Sequence, residues 1–322
     1  MSTTQPLVSV LVRSMDRPTL SRTLESIATQ SYANVEVVVI AACGSRHRDL
    51  PATCGAFPLR LVRSEVQLRR AAAANAALDA ARGEWLNLLD DDDVFLPEHI
   101  AMLQAALAPQ PQAQLAYARS FAIDASGARV EVGTRFKRWR HLDTPFFHSQ
   151  AALFSRKLID AGVRFDARFD ILEDMDFFVQ CAQHTPFVFV ERVTSISYRD
   201  DGESGTAGAR RDTARIDAAA AQLRSKWAAL ERRLHAMPEF RLEKALWLLE
   251  HNDRQSAQAE TRAILDERPD WTDAHALVAL LAALSGDASG ARQALLRAGD
   301  TEPQDPALRQ HVANLRAWLQ TH

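Results

Sequence analysis

The chain has 322 residues, 47% of them hydrophobic and 25% charged, with 38 Lys and Arg against 41 Asp and Glu and a net charge of −3. This is the composition of an ordinary globular protein and excludes a disordered, collagenous or heptad-built chain. With charge nearly balanced there is no basic face of the kind that binds nucleic acid, so any contact with a polyanion is local.

Three cysteines, Cys43, Cys54 and Cys181, are odd in number and widely spaced, which fits neither a disulfide framework nor a zinc site and favours a reducing compartment. No basic leader precedes the first apolar run, and no stretch approaches the roughly 20 apolar residues of a transmembrane segment. The sequence reads as cytoplasmic, with peripheral attachment to the inner face of the membrane as the alternative.

In chain order, "LVSVLVR" (7–13) and "VEVVVIAA" (35–42) are β-branched runs expected as buried strands, and the stretch between them carries Leu20, Leu24 and Ile27 at helical spacing. "LRLVR" (59–63) predicts a third strand, an Ala-rich helix follows over about 69–82 and is stopped by Gly83, and "EWLNLL" predicts a fourth strand. Helix "PEHIAMLQAAL", strands "QLAYARSFAID" and "RVEVG", helices "AALFSRKLIDAG" and "EDMDFFVQCAQH", and a strand pair in "FVFVERVTSISY" complete an α/β region. Strands alternating with helices imply a largely parallel sheet covered on both faces.

Beyond residue 212 the signal is helical throughout, so two domains are expected, 1–212 and 213–322. In the second, Asp253 and Asp287, Ala257 and Ala291, and Pro269 and Pro303 each stand 34 residues apart. That is the tetratricopeptide (TPR) period, with an irregular helical bundle as the alternative.

The run Asp90 to Asp93 follows directly on the apolar strand "EWLNLL". Four adjacent like charges repel unless a cation or solvent relieves them, and ligands of open α/β sheets bind beyond the carboxyl ends of the strands. The plain alternative is a solvated loop in which Asp93 or a neighbour caps the next helix. The functional reading is a hard-cation site, with Asp90 and Asp92 presenting oxygens to Mg²⁺ or Mn²⁺ while the metal keeps positions open for substrate phosphates.

The surrounding pattern, "ANAALDAARGEWLNLLDDDDVFLPEHI", resembles glycosyltransferase family 2, and the resemblance runs from about Leu7 to Tyr198. It takes in "LVSVLVRSMDRPTLSRTLESIATQSYANVEVVVI" and the later "FDARFDILEDMDFFVQCAQ". The resemblance implies a GT-A fold (a Rossmann-like mixed sheet of nucleotide-diphospho-sugar transferases), a nucleotide-sugar donor and a divalent metal. It assigns Asp92 to the metal, and Asp90 and Asp91 to the donor ribose and metal. It makes Asp174 the general base, with Glu173 beside it. Ser14 and Arg69 are candidate donor contacts, and Asp93 has a structural role at the helix start. The alternative for Glu173 and Asp174 is a pair of first-turn helix acids, and for Arg69 and Arg70 plain surface charge.

The glycine-rich "YRDDGESGTAGARR" reads either as a lid over the diphosphate, with Ser204, Arg210 and Arg211 as contacts, or as an interdomain linker. His148 is a candidate acceptor contact or a structural histidine, and Trp139, Phe146 and Phe147 a sugar platform or core.

The chain also departs from the family. Where the family reads P-T-Y-N-R this sequence has Arg13-Ser14-Met15-Asp16-Arg17, where it reads D-D-G-S there is Ala42-Cys43-Gly44-Ser45, and the Arg of A-R-N is Ala74. The implied function is inverting, metal-dependent transfer of a sugar from a nucleotide diphosphate to a hydroxyl of a polysaccharide, glycolipid or protein. One alternative is a nucleotidyltransferase, which would carry a glycine-rich loop after the first strand. The other is a non-catalytic GT-A-like protein whose helical repeats bind a protein partner or a second copy.

Overall fold

The computed structural model describes residues 5–138, 146–199, 211–299, 301–303 and 305–320. These form two compact units that divide between Lys226 and Trp227. The division falls inside a long helix, α6 (Thr213–Ala236), whose start adjoins the expected boundary at 212.

The first unit is built on a mixed sheet in the order β3-β4-β2-β1-β5-β9-β7-β10-β6, with β8 paired to β7. Its centre is β1 (Val8–Ser14), flanked in parallel by β2 (Val35–Ala41) and β5 (Trp85–Asp90), with β4 (Phe57–Val62) parallel beyond β2. Strand β9 (Ala152–Ser155) runs antiparallel between β5 and β7 (Leu115–Ile123), and β10 (Phe187–Tyr198) lies parallel to β7. Short strands β3 (Thr53–Cys54), β6 (Val94–Phe95) and β8 (Arg129–Val132) finish the edges. The carboxyl ends of β1, β2, β5, β7 and β10 therefore open on one side of the sheet.

Every residue of β1 is buried, and successive side chains enter opposite layers, as a strand covered on both faces requires. Val8, Val10 and Val12 pack with Leu20 and Ile27 of α1 (Leu20–Ala28) and Ile100 and Leu103 of α3 (His99–Leu107). Leu11 packs with Ala74, Ala77 and Leu78 of α2 (Arg70–Ala80) and with Phe177 and Cys181 of α5 (Glu173–Cys181). Gly83 closes α2 onto β1: a Cβ there would lie 2.6 Å from the Ser9 amide nitrogen and 2.7 Å from the Leu7 carbonyl, so no side chain fits.

Three elements differ from the sequence expectation. "AALFSRKLIDAG" is not one helix: Ala152–Ser155 is a strand, and the Ser155 hydroxyl then caps the five-residue α4 (Arg156–Asp160) by accepting from the Lys157 amide. A four-residue strand with all its residues buried, three of them apolar, carries no period to separate strand from helix. "FVFVERVTSISY" is one long strand whose register against β7 shifts around Val193, not a hairpin. The helix after the aspartates begins at His99 with no side-chain cap, so Asp93 is not its N-cap.

The second unit contains α7 (Pro238–Glu250), α8 (Arg254–Glu267), α9 (Thr272–Leu284), α10 (Ala288–Ala298) and α11 (Pro306–Leu319). The residues spaced by 34 perform equal tasks. Asp253 and Asp287 cap α8 and α10 by accepting from the amides of Ser256 and Gly290, and Ala257 and Ala291 are wholly buried at the same point of each helix.

Candidate active site

The strand ends converge on a cavity of about 390 Å³. Arg13 from β1, Ala42 after β2, Asp90 at the end of β5 with Asp91 to Asp93 after it, Ala122 from β7, Tyr198 at the end of β10 with Arg199 after it, and Glu173 and Asp174 from α5 all line it. Arg13 and Asp90, 77 residues apart in sequence, meet there because parallel strands deliver their carboxyl ends to one side, and α5 brings Asp174 to the same cavity.

The centre of the site is a buried ion-pair cluster. Arg13 Nε donates to Asp90 Oδ1 at 2.7 Å and Nη2 to Asp90 Oδ2 at 2.9 Å, while Nη1 donates to Glu173 Oε1 at 2.8 Å. Arg70 Nε donates to the same Glu173 oxygen at 2.7 Å, and its Nη2 lies 3.4 Å from Asp90 Oδ2. Burial alone would raise the Asp90 carboxyl, but Arg13 and Arg70 hold it down at about 2. Glu173 is likewise lowered, burial being outweighed by Arg70 and Arg13.

Asp91 is held by a second set: it accepts from Arg17 Nη1 at 2.8 Å, the Met15 amide at 2.7 Å and the Ser14 hydroxyl at 3.0 Å. Ser14 is itself buried and outside the cavity lining, so it orients Asp91 and does not face a donor. Asp93 is buried; its carboxyl bonds Ser197 and Tyr198 and its carbonyl accepts from Thr23 Oγ1. Its structural role is therefore to tie the run to β10 and α1.

Asp92 differs from its neighbours. Arg17 Nη1 approaches its Oδ2 at 3.0 Å, yet burial, Asp90 and Asp91 together raise its carboxyl to about 6. The run thus concentrates negative charge at Asp92 that the arginines do not balance, and carboxylate oxygen is the ligand type Mg²⁺ and Mn²⁺ take. Asp90 does not fit that role in this arrangement, because both of its oxygens are engaged by the Arg13 fork. Among the described residues no three His, Cys, Asp or Glu side chains surround a common point. The donor set that fits is one carboxylate from the chain, with substrate oxygens and water for the rest.

Asp174 stands at the first turn of α5, half-buried, with the preceding Leu172 in the left-handed region at φ 61°. Its carboxyl is pushed up to about 6, first by burial and then by Glu173. Arg69 is not in the cavity: its side chain is 79% exposed and pairs with Asp170 at 2.8 Å. One residue on, about 100° further round the helix, Arg70 points into the site instead. His148 does line the cavity, with Nδ1 2.8 Å from Ser120 Oγ and its ring lowered to about 4 by burial and Arg199. Phe146 and Phe147 are buried; Phe147 stacks on Tyr117 at 4.3 Å and also lines the cavity, whereas Phe146 does not. Trp139, Ser204 and Arg210 lie outside the described residues, and Arg211 is exposed.

Sequence reasoning passed over Arg13, Arg17 and Arg70. A signal for the first was present: a lone arginine inside "VSVLVRS", a fully buried strand, requires a buried carboxylate partner.

A mixed sheet with helices on both faces and acidic side chains gathered at its carboxyl edge is of the GT-A type. The comparison with solved structures bears this out: the mannosyltransferase PcManGT of Pyrobaculum calidifontis, solved with GDP-Man and Mn²⁺, superposes with a TM-score of 0.50 at 22% identity, over 98% of this chain and 88% of that one. Residues 9–163 match the model for glycosyl transferase family 2. An uncharacterised glycosyltransferase of Haemophilus influenzae is 30% identical over 112 residues, which is 34% of this chain and 38% of that protein. The uncharacterised glycosyltransferase YwdF of Bacillus subtilis is 23% identical over 282 residues, 83% of this chain and 98% of the relative. The chain thus spans well under half of the first relative and nearly all of the second. No helix among the described residues is long and apolar enough to cross a membrane.

Proposed function

We propose that the protein is an inverting glycosyltransferase that moves a sugar from a nucleotide diphosphate to an acceptor hydroxyl of a polysaccharide, glycolipid or protein, with Asp174 as general base. The observation that carries this reading is the placing of Asp174, with its raised carboxyl, in the same cavity as the aspartate run. A base poised near neutral pH can accept a proton and hold it once the acceptor oxygen attacks.

The division of labour follows from the contacts. Asp174 Oδ takes the acceptor proton; Glu173, locked by Arg13 and Arg70, fixes the first turn that carries it. Arg70 and Arg17 line the cavity and present positive charge to the donor diphosphate, while Asp91, anchored through Ser14 and Met15, faces the donor. Asp92 would hold the divalent cation, Mn²⁺ or Mg²⁺, which when bound supplies positive charge against the leaving diphosphate. The nucleotidyltransferase alternative lacks support, since the turn after β1 is Met15-Asp16-Arg17, without glycine.

For the helical unit we infer a TPR-like pairing, supported by the equal tasks of residues 34 apart, with a partner protein, the acceptor or a second copy as its ligand. A location at the cytoplasmic side, free or peripheral to the inner membrane face, accords with the reducing chemistry of three free buried cysteines.

The test is a thermal-shift series with UDP, GDP, UDP-GlcNAc and GDP-mannose, each with and without Mn²⁺. A nucleotide at 100 times its Kd should stabilise the fold by about 2.7 kcal/mol. An Asp92→Asn variant should lose the Mn²⁺-dependent part of that shift. No shift with any nucleotide would count against the reading.

A further inference from the structure

Helix α5 begins without a side-chain cap, and the residue before it is held in the left-handed region. Among the described residues, the hydrogen bond of the Asp174 carboxylate is the one it accepts from the amide of Met175 next to it. Its position is therefore set by what holds its neighbours. On one side Glu173 is gripped by Arg13 and Arg70. On the other, Asp176 is 0% exposed and its carboxylate meets Lys226 Nζ at 2.8 Å and Gln180 Nε2 at 2.8 Å.

Lys226 belongs to α6 and makes a second ion pair at 2.8 Å with Asp166, on the segment that leads into α5. Its ammonium also lies 5.5 Å from the centre of the Phe169 ring. The α6 backbone is seated there by Leu223, wholly buried, and by Gln222, which donates to the Arg168 carbonyl at 3.3 Å. Both α5 and this part of α6 lie beyond residues 9–163 that match the family model.

We propose that Lys226 is a positioning residue for the transfer reaction: it pins the back of α5 through Asp176 while Arg13 and Arg70 pin its front through Glu173, and the two ties together aim Asp174. This rests on Asp174 being the base. Positions 174 and 176 are about 200° apart on the helix, so a tie at 176 resists rotation of 174 without touching substrate. Removing the cation from this buried pair leaves the Asp176 tie weakened, and the relaxation that follows loosens the first turn.

The experiment measures nucleoside diphosphate release from UDP-GlcNAc and GDP-mannose, together with UDP and GDP affinity, in the full chain. Lys226→Met should lower kcat about 10- to 100-fold, the range a small misplacement of a reacting group produces. Nucleotide affinity should stay within about twofold, since Lys226 is outside the cavity lining. Lys226→Arg, which keeps the charge, should recover most of kcat. The double variant Lys226→Met/Asp176→Asn removes both charges, so it folds without an unpaired buried carboxylate, and its kcat should remain low. Wild-type kcat in either Met-bearing variant overturns the proposal, as does a fall in nucleotide affinity that matches the fall in kcat. A wild-type protein that releases no nucleotide from either donor overturns the base assignment along with it.

Discussion

The guanidinium of Arg13 closes on both oxygens of Asp90, at 2.7 and 2.9 Å, from the end of the central strand, and its remaining nitrogen reaches Glu173 at 2.8 Å. One side chain thus joins the first aspartate of the run to the helix of the candidate base. Because the Arg13 and Glu173 side chains are 5% and 1% exposed, solvent cannot replace a missing partner. Arg13→Met should cost about 3–5 kcal/mol, as removal of one member of a buried pair does. Denaturant unfolding of the variant checks this, and a loss under 1 kcal/mol would mean that Arg70 alone holds the cluster.

Neighbouring arginines should behave differently. Arg69 and Asp170 are both largely exposed, so Arg69→Ala should change stability by about 0–1 kcal/mol and leave nucleotide affinity unaltered. Arg70→Ala removes a group that lines the cavity and touches both Asp90 and Glu173, and should weaken nucleotide binding as well as stability. Titration calorimetry of the two variants with UDP and GDP separates them.

The pH profile has a definite sign. A base must be unprotonated to accept a proton, and burial and Glu173 raise Asp174 to about 6. Activity should therefore be full well above pH 6 and fall as pH drops through about 6, measured at saturating Mn²⁺. Were the carboxyl at its ordinary value near 3.9, the loss would come about two units lower.

Asp92 and Asp90 should separate in the same way. Asp92→Asn should raise the Mn²⁺ concentration needed for half-maximal activity by about 10- to 100-fold, the usual effect of disturbing a metal's protein contacts. Asp90→Asn leaves Arg13 short of its partner and should act first on stability. Equal and purely metal-dependent effects of both would restore Asp90 as a ligand.

Much of this was legible in the residues. The strands β1, β2 and β5 announce themselves as β-branched or apolar runs, and the aspartates stand where the last of them ends. The family resemblance then led to Asp174, which lines the same cavity as that run. What escaped was the set of cations that holds those carboxylates. Arg13 stands where the family resemblance would place a proline, so that resemblance did not point to it, and the one signal was its lone charge inside a buried strand. Arg69 and Arg70 are adjacent and equivalent in composition, and only the phase of α2 decides which one faces inward. Lys226 sits 50 residues beyond its partner Asp176, on another helix, and sequence spacing carries no trace of such a pairing. Strand β9 was missed because four buried residues, three of them apolar, have no period.

The central claim, sugar transfer with Asp174 as base, is tested most directly by nucleoside diphosphate release from nucleotide sugars by the wild-type protein and by Asp174→Asn. The account predicts release by the wild type from UDP-GlcNAc, UDP-glucose or GDP-mannose in Mn²⁺, and a fall of about 10²- to 10⁴-fold in the variant with nucleotide affinity retained. Equal rates in the two proteins, or no release from any donor by the wild type, would contradict it.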